Sequence, residues 1–253
     1  DALVAAWPPV ASDPDLCQVL RANTATLRER HLDALWRPDI HEVILRAGYD
    51  LGQVGQVQKA VEYYAELFAR ACDTLGADHP STLTARFRLA DFRGRSGDVH
   101  GAVRGLEETL AARRRVLGPD HPDTLFTRYE LASWRGESGD AQTADLDLER
   151  LAADCVRTLG ADDPVTLSVR HDWAFWRGET GDHAGAVRAF EEQLPDNHRI
   201  FGPDSPQALG LRHYLARARG LGGDPHGAAE GLSALVEDAV RVLGPDNPYT
   251  LMA

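Results

Sequence analysis

The stretch LGPDHPDTL fills residues 117–125, and close versions of it recur as LGADHPSTL at 75–83, LGADDPVTL at 159–167, FGPDSPQAL at 201–209 and LGPDNPYTL at 243–251. Each begins 42 residues after the one before. A second column in step with the first holds Gly97 and Asp98, Gly139 and Asp140, Gly181 and Asp182, Gly223 and Asp224, with Gly55 and Gln56 as a weaker earlier member. A third holds Ala60, Ala102, Ala144, Ala186 and Ala228. Three columns sharing one period define an internal repeat, and a period of this length is the mark of stacked supersecondary modules.

Each column has a physical reason. The prolines at 80, 122, 164, 206 and 248 suit the first turn of a helix, where their missing amide hydrogen would be unpaired in any case. His79, His121, Asp163, Ser205 and Asn247 stand at the cap position before them. A helix of about sixteen residues then reaches the Gly-Asp pair, where glycine can take the left-handed conformation that ends it. A second helix is predicted from Val99, Ala141, His183 and Pro225 to the next Leu-Gly. In the helix that starts at Pro164, Val169, Trp173 and Trp176 fall on one stripe beside Ala174; Val103, Leu106, Leu110 and Leu117 do the same in a second helix. Neither helix can hide such a stripe alone. The expected fold is therefore all-α, a right-handed α-solenoid of helix-turn-helix repeats, each burying what its neighbours leave open.

The Leu-Ala pairs (Leu89 and Ala90, Leu131 and Ala132, Leu215 and Ala216), the glycine seven residues on and the alanine five beyond resemble the tetratricopeptide repeat (TPR). The period of 42 and the LGxDHPxTL linker are similar to the long repeats of kinesin light chains and their bacterial relatives. The resemblance covers roughly 41–253 and implies a scaffold that binds peptides or proteins, without catalysis or cofactor. This chain departs from it in two places. Arg88, Glu130, Asp172 and Tyr214 replace the asparagine with which many relatives hold a peptide backbone, and Arg93, Arg135, Arg177 and Arg219 displace the usual tyrosine, the aromatic having moved to Phe92, Trp134 and Trp176. Residues 1–40 fit less well and are expected to form a capping region, with 14–35 as one amphipathic helix whose apolar side carries Leu16, Leu20, Leu27 and Leu35. LRANTATL followed by RAGYDLGQVGQV is similar to segments preceding such repeats in large actinobacterial regulators, NB-ARC-type signalling ATPases and repeat-bearing kinases among them. With no initiator methionine and with NPYTLMA opening a new helix, the sequence is expected to be a piece of such a regulator, further domains and repeats being linked to it.

Composition narrows the function. A net charge of −12 disfavours a phosphate backbone as partner, since that binding relies on basic side chains releasing counterions. Neither a membrane span nor a secretory leader is legible, which leads to the expectation of a cytoplasmic protein. Cys17, Cys72 and Cys155 are too scattered for a disulfide framework or a zinc site. Ten histidines raise the question of a metal-dependent enzyme, yet no pair has ligand spacing on one helix, and no phosphate loop, nucleophile elbow or cysteine-base pair is present. No metal, cofactor or catalytic residue is expected.

The resemblance places first helices on a concave wall. The faces left over there carry Phe87, Asp91 and Arg95, then Tyr129, Ser133 and Glu137, then His171, Phe175 and Glu179, then His213, Arg217 and Leu221. Aromatics mixed with both signs of charge suit a protein or peptide partner. Glycines 52, 94, 136, 178 and 220 lie inside helices at about 1 kcal/mol each relative to alanine, and close approach of a neighbouring helix is the expected compensation. Two arginine columns, Arg86, Arg128, Arg170 and Arg212 and then Arg93, Arg135, Arg177 and Arg219, are expected to tie repeats together through Asp78, Asp120, Asp162 and Asp204 or the pairs Glu107/Glu108 and Glu191/Glu192. The alternative is that these arginines form an anion-sensing ladder.

Overall fold

The computed structural model describes residues 2–7, 13–30, 35–245, 247 and 250. Among them are twelve helices and no strand: α1 Ala2–Ala6, α2 Pro14–Arg30, α3 Glu42–Gln53, α4 Val57–Leu75, α5 Pro80–Arg95, α6 Val99–Val116, α7 Pro122–Glu137, α8 Ala141–Thr158, α9 Pro164–Glu179, α10 His183–Phe201, α11 Pro206–Leu221 and α12 Pro225–Leu243. This is an all-α array of helix-turn-helix repeats with the architecture of an α-solenoid. Two compact bodies, 1–134 and 135–253, divide it within α7.

The repeat columns fix the helix ends to the residue. Asp163 accepts from the Val165 amide at 2.8 Å, Ser205 Oγ from the Ala208 amide at 3.2 Å, and His79 Nδ1 from the Ser81 amide at 3.3 Å, each just before the proline that opens a first helix. His121 Nδ1 likewise accepts from the Asp123 amide at 3.1 Å. The corresponding helix start at Pro248 lies outside the described residues. At the other end Gly97, Gly139, Gly181 and Gly223 have φ between 92° and 99°, and the amides of Asp98, Asp140, Asp182 and Asp224 reach back to the carbonyls of Arg93, Arg135, Arg177 and Arg219. That pattern closes a helix with a left-handed glycine. The same four aspartates then cap the second helices, accepting from Gly101, Thr143, Gly185 and Gly227 at 2.8–3.1 Å.

In the first body the core gathers Trp36, Ile40, Ile44, Tyr64, Leu67 and Phe92, with the Tyr64 and Phe92 rings stacked at 5.6 Å. In the second it gathers Ala174, Ala186, Phe190, Leu211 and Leu215. The repeated alanine is buried at every step, so the paired helices cross closely there. The internal glycines serve the same end along the array. A Cβ on Gly94 would stand 2.6 Å from Cζ2 of Trp134, and Gly52 under Phe92 and Gly136 under Trp176 leave no more room. The aromatic of each repeat therefore rests on the glycine of the one before. Ala218 holds the aromatic's place in the last of these steps, and a Cβ on Gly178 would meet only the Ala186 methyl, at 3.4 Å.

Two expectations for local packing need correction. Leu16 is 37% exposed, because α2 turns Cys17, Leu20 and Thr24 inward instead. That helix is described as far as Arg30, and residues 31–34 of the single helix expected there lie outside the described residues. Trp173, expected within the buried stripe of α9, is only half-buried, and the Arg177 guanidinium lies 4.9 Å above its ring.

Candidate functional site

The predicted groove positions separate into two kinds. In the first body Phe87 is buried against Phe126 at 5.5 Å, with the Arg113 guanidinium 5.1 Å from its ring. Asp91 is buried too and accepts from Arg95 Nε at 3.1 Å, while Arg95 itself is exposed. Tyr129 is half-buried beside Phe126 at 6.0 Å, and the half-buried Ser133 hydroxyl donates to the Tyr129 carbonyl at 3.2 Å. Phe87 and Asp91 thus face inward, and Arg95 and Tyr129 carry what that face of the first body offers.

In the second body α9 and α11 bring the predicted residues together. His171 packs edge-on to Tyr214 at 5.0 Å and to Phe190 at 5.5 Å, and Phe175 meets Tyr214 edge-on at 5.6 Å. His213 lies at 5.6 Å from the same tyrosine. Arg217 reaches across to Glu179 at 2.7 Å with its guanidinium 5.7 Å above Phe175. Burial pushes the His171 pKa below the usual histidine value, against the smaller opposing pull of Asp172, so the ring is neutral at pH 7 and packs as an aromatic. Glu137 is exposed. Tyr214, the hub of this cluster, is absent from the predicted set. Its signal was available, since it occupies the column where relatives carry asparagine.

Of the two columns, Arg86, Arg135, Arg170, Arg177, Arg212 and Arg219 are engaged, partly with other partners than expected. Arg86 pairs with Glu108, Arg170 with Asp196 at 3.0 Å and Arg212 with Asp238 at 2.8 Å, all between the two helices of one repeat. Arg135 does the same with Asp147 at 2.6 Å. Arg219 instead reaches the preceding second helix at Glu191, 2.7 Å away, and Arg177 faces Asp145, Glu149 and Asp182 within 4 Å. Asp78, Asp162 and Asp204 are held by a third arginine column that sequence reasoning overlooked. Arg115 pairs with Asp78, Arg199 grips Asp162 through both terminal nitrogens at 2.9 and 2.6 Å, and Arg241 grips Asp204 at 3.2 and 2.9 Å. Arg199 and Arg241 also bond Asp196 and Asp238. These hydrogen bonds hold the carboxyls of Asp162, Asp196, Asp204 and Asp238 below the usual aspartate range.

No group of three metal-ligating side chains occurs among the described residues, and no described helix is long and apolar enough to cross a membrane. The family pattern of the tetratricopeptide repeat matches residues 84–153 and, in a second form, 46–81. Residues 46–81 and 84–153 are tetratricopeptide repeats. The chain's repeats are similar to the nearly identical TPR-like repeats of a kinesin-light-chain-type protein from Podosopora anserina, at 29% identity and a TM-score of 0.72 over 80% of this chain and 95% of that one. In fold it is also similar to BtubC (BKLC) from P. vanneervenii, at 15% identity and a TM-score of 0.74 over 90% and 92% of the two chains. YrrB, described as a TPR protein with an unusual peptide-binding site, shares the fold at 15% identity and a TM-score of 0.51 over 91% and 96%. No protein of curated function matches the sequence. TPR arrays of this kind are generally non-enzymatic scaffolds for protein–protein interaction.

Proposed function

We propose that this TPR array receives a protein or peptide segment on first-helix faces: in the first body where Arg95 and Tyr129 lie, with Phe87, Asp91 and Ser133 beneath them, and in the second body where Glu137, His171, Phe175, Glu179, His213 and Arg217 lie. One observation carries the reading: His171, Phe175, His213 and Tyr214 form a continuous aromatic surface in the second body, crossed by the Glu179–Arg217 ion pair. Half-buried rings beside an addressable charge pair have the composition of binding hot spots, and their mutual packing lowers the ordering cost of capture. The peptide-binding description of YrrB is consistent with it. In this reading the chain is non-enzymatic, works in the cytoplasm without metal or cofactor, and is the sensor or interaction arm of a larger bacterial signalling protein of the NB-ARC ATPase or kinase kind. Membranes and nucleic acids are not its partners.

Peptides selected from a displayed random library against the whole chain provide the probe. Phe175→Ala and Arg217→Ala should each weaken the selected peptides by about tenfold or more, corresponding to roughly 1.4 kcal/mol. Arg188→Ala, on the second helix α10, should leave binding within twofold. The reverse pattern would move the binding face to the second helices.

A further inference from the structure

A second candidate site lies in the first body, away from that column. A cleft of about 460 Å³ opens between α2, α3 and α4, and among its lining residues are Arg21, Arg28, Leu51, Gln56, Lys59 and Tyr63. The groove column, carried back one repeat from 87, 91 and 95, would fall at 45, 49 and 53 of α3. Leu51 is two residues from the last two of these, about 200° around the helix, so the cleft opens on the opposite side.

Its electrostatics run against the rest of the protein. The whole chain has 39 acidic and 27 basic side chains, yet among the described residues three cations and no carboxylate line the cleft. Arg21 is neutralised by the buried Asp50. Arg28 and Lys59 have no carboxylate within ion-pairing distance among the described residues. Arg28 is aimed rather than loose: its guanidinium stands 5.0 Å over the Tyr63 ring, and the Tyr63 hydroxyl is fixed by donating to the Ile44 carbonyl at 2.9 Å. Lys59 is the only lysine in the sequence. Two unneutralised cations, a fixed aromatic, an apolar floor at Leu51 and the Gln56 amide together match a ligand with separated carboxylates on an aliphatic body.

We infer that this cleft binds an acidic peptide segment, with neighbouring glutamate or aspartate side chains taken by Arg28 and Lys59 and their methylenes lying on Leu51 and Tyr63. Overall charge opposes such a ligand, so any affinity must come from the local cations.

The test is titration of the whole chain with fluorescein-labelled, capped hexaglutamate, beside hexaglutamine and citrate, at low ionic strength. Hexaglutamate should bind saturably and hexaglutamine should not, with Arg28→Gln and Lys59→Gln each weakening binding at least fivefold and Arg104→Gln, on α6, leaving it unchanged. Arg28 packs on Tyr63, so the exposed Lys59 gives the variant least prone to unfolding. Acetylation of Lys59, followed by mass spectrometry in the unmutated chain, should slow at least fivefold under saturating hexaglutamate. Equal binding of the two peptides, indifference to both substitutions, or unslowed acetylation would overturn the proposal. Binding of citrate without hexaglutamate would overturn the peptide assignment and make the cleft a small-molecule site.

Discussion

Single residues in this array show how one repeat position can carry different burdens. Thr82, Thr124 and Thr166 are fully buried, and none of their hydroxyls has a hydrogen-bond partner among the described residues; the next repeat places Ala208 there. A buried, unpaired hydroxyl is destabilising, whereas an apolar group of the same shape is not. Thr166→Val should therefore raise the urea-measured stability by about 1 kcal/mol; a loss of similar size would show that the hydroxyl has a role. Gly178 offers a second case. With Ala218 where an aromatic stood in earlier repeats, Gly178→Ala should be tolerated and gain up to about 1 kcal/mol from helix propensity. At this scale the sequence was partly misleading for the groove. Phe87 and His171 are equivalent by column, yet Arg113 is buried against Phe87, while the positions equivalent to Arg113 carry Cys155, Asn197 and Ala239. Depth is set by the neighbour, and a column read alone does not contain it.

At the scale of the element, helix ends were the most legible feature. Proline, its cap and the Gly-Asp pair each act within one turn of chain, so their consequences can be read without knowing the fold. The ion-pair staples were less legible, because Arg199 and Asp162 are 37 residues apart and meet only once the helix pair has closed. The staples make a pH prediction. Asp162, Asp196, Asp204 and Asp238 are held below their ordinary pKa of 3.8 in the folded state. A depressed folded pKa contributes stability that is present above the unfolded value and is lost as pH falls through the folded one. The melting temperature of Arg199→Gln/Arg241→Gln should accordingly lie below that of the parent at pH 7, with the gap closing towards pH 3. High salt at pH 7 should narrow it as well, since these guanidinium groups are largely exposed. A gap that widens on acidification would contradict the assignment.

For the whole molecule, the period of 42 implied that repeats hold one another through their stripes, and the structure supplies the contact that does so: an aromatic seated on the preceding repeat's glycine. The same stacking sets first helices side by side, so that His171 and Phe175 of α9 reach Tyr214 of α11. The most direct measurement of this claim is a double-mutant cycle on Gly136 and Trp176 by equilibrium denaturation. Gly136→Ala should cost about 1–3 kcal/mol while Trp176 is present, because the added methyl has no space beneath the indole. In a Trp176→Ala background the same change should cost nothing or gain up to about 1 kcal/mol. Equal costs in the two backgrounds would mean that glycine and tryptophan do not join the repeats, and the account of the stacking would fail.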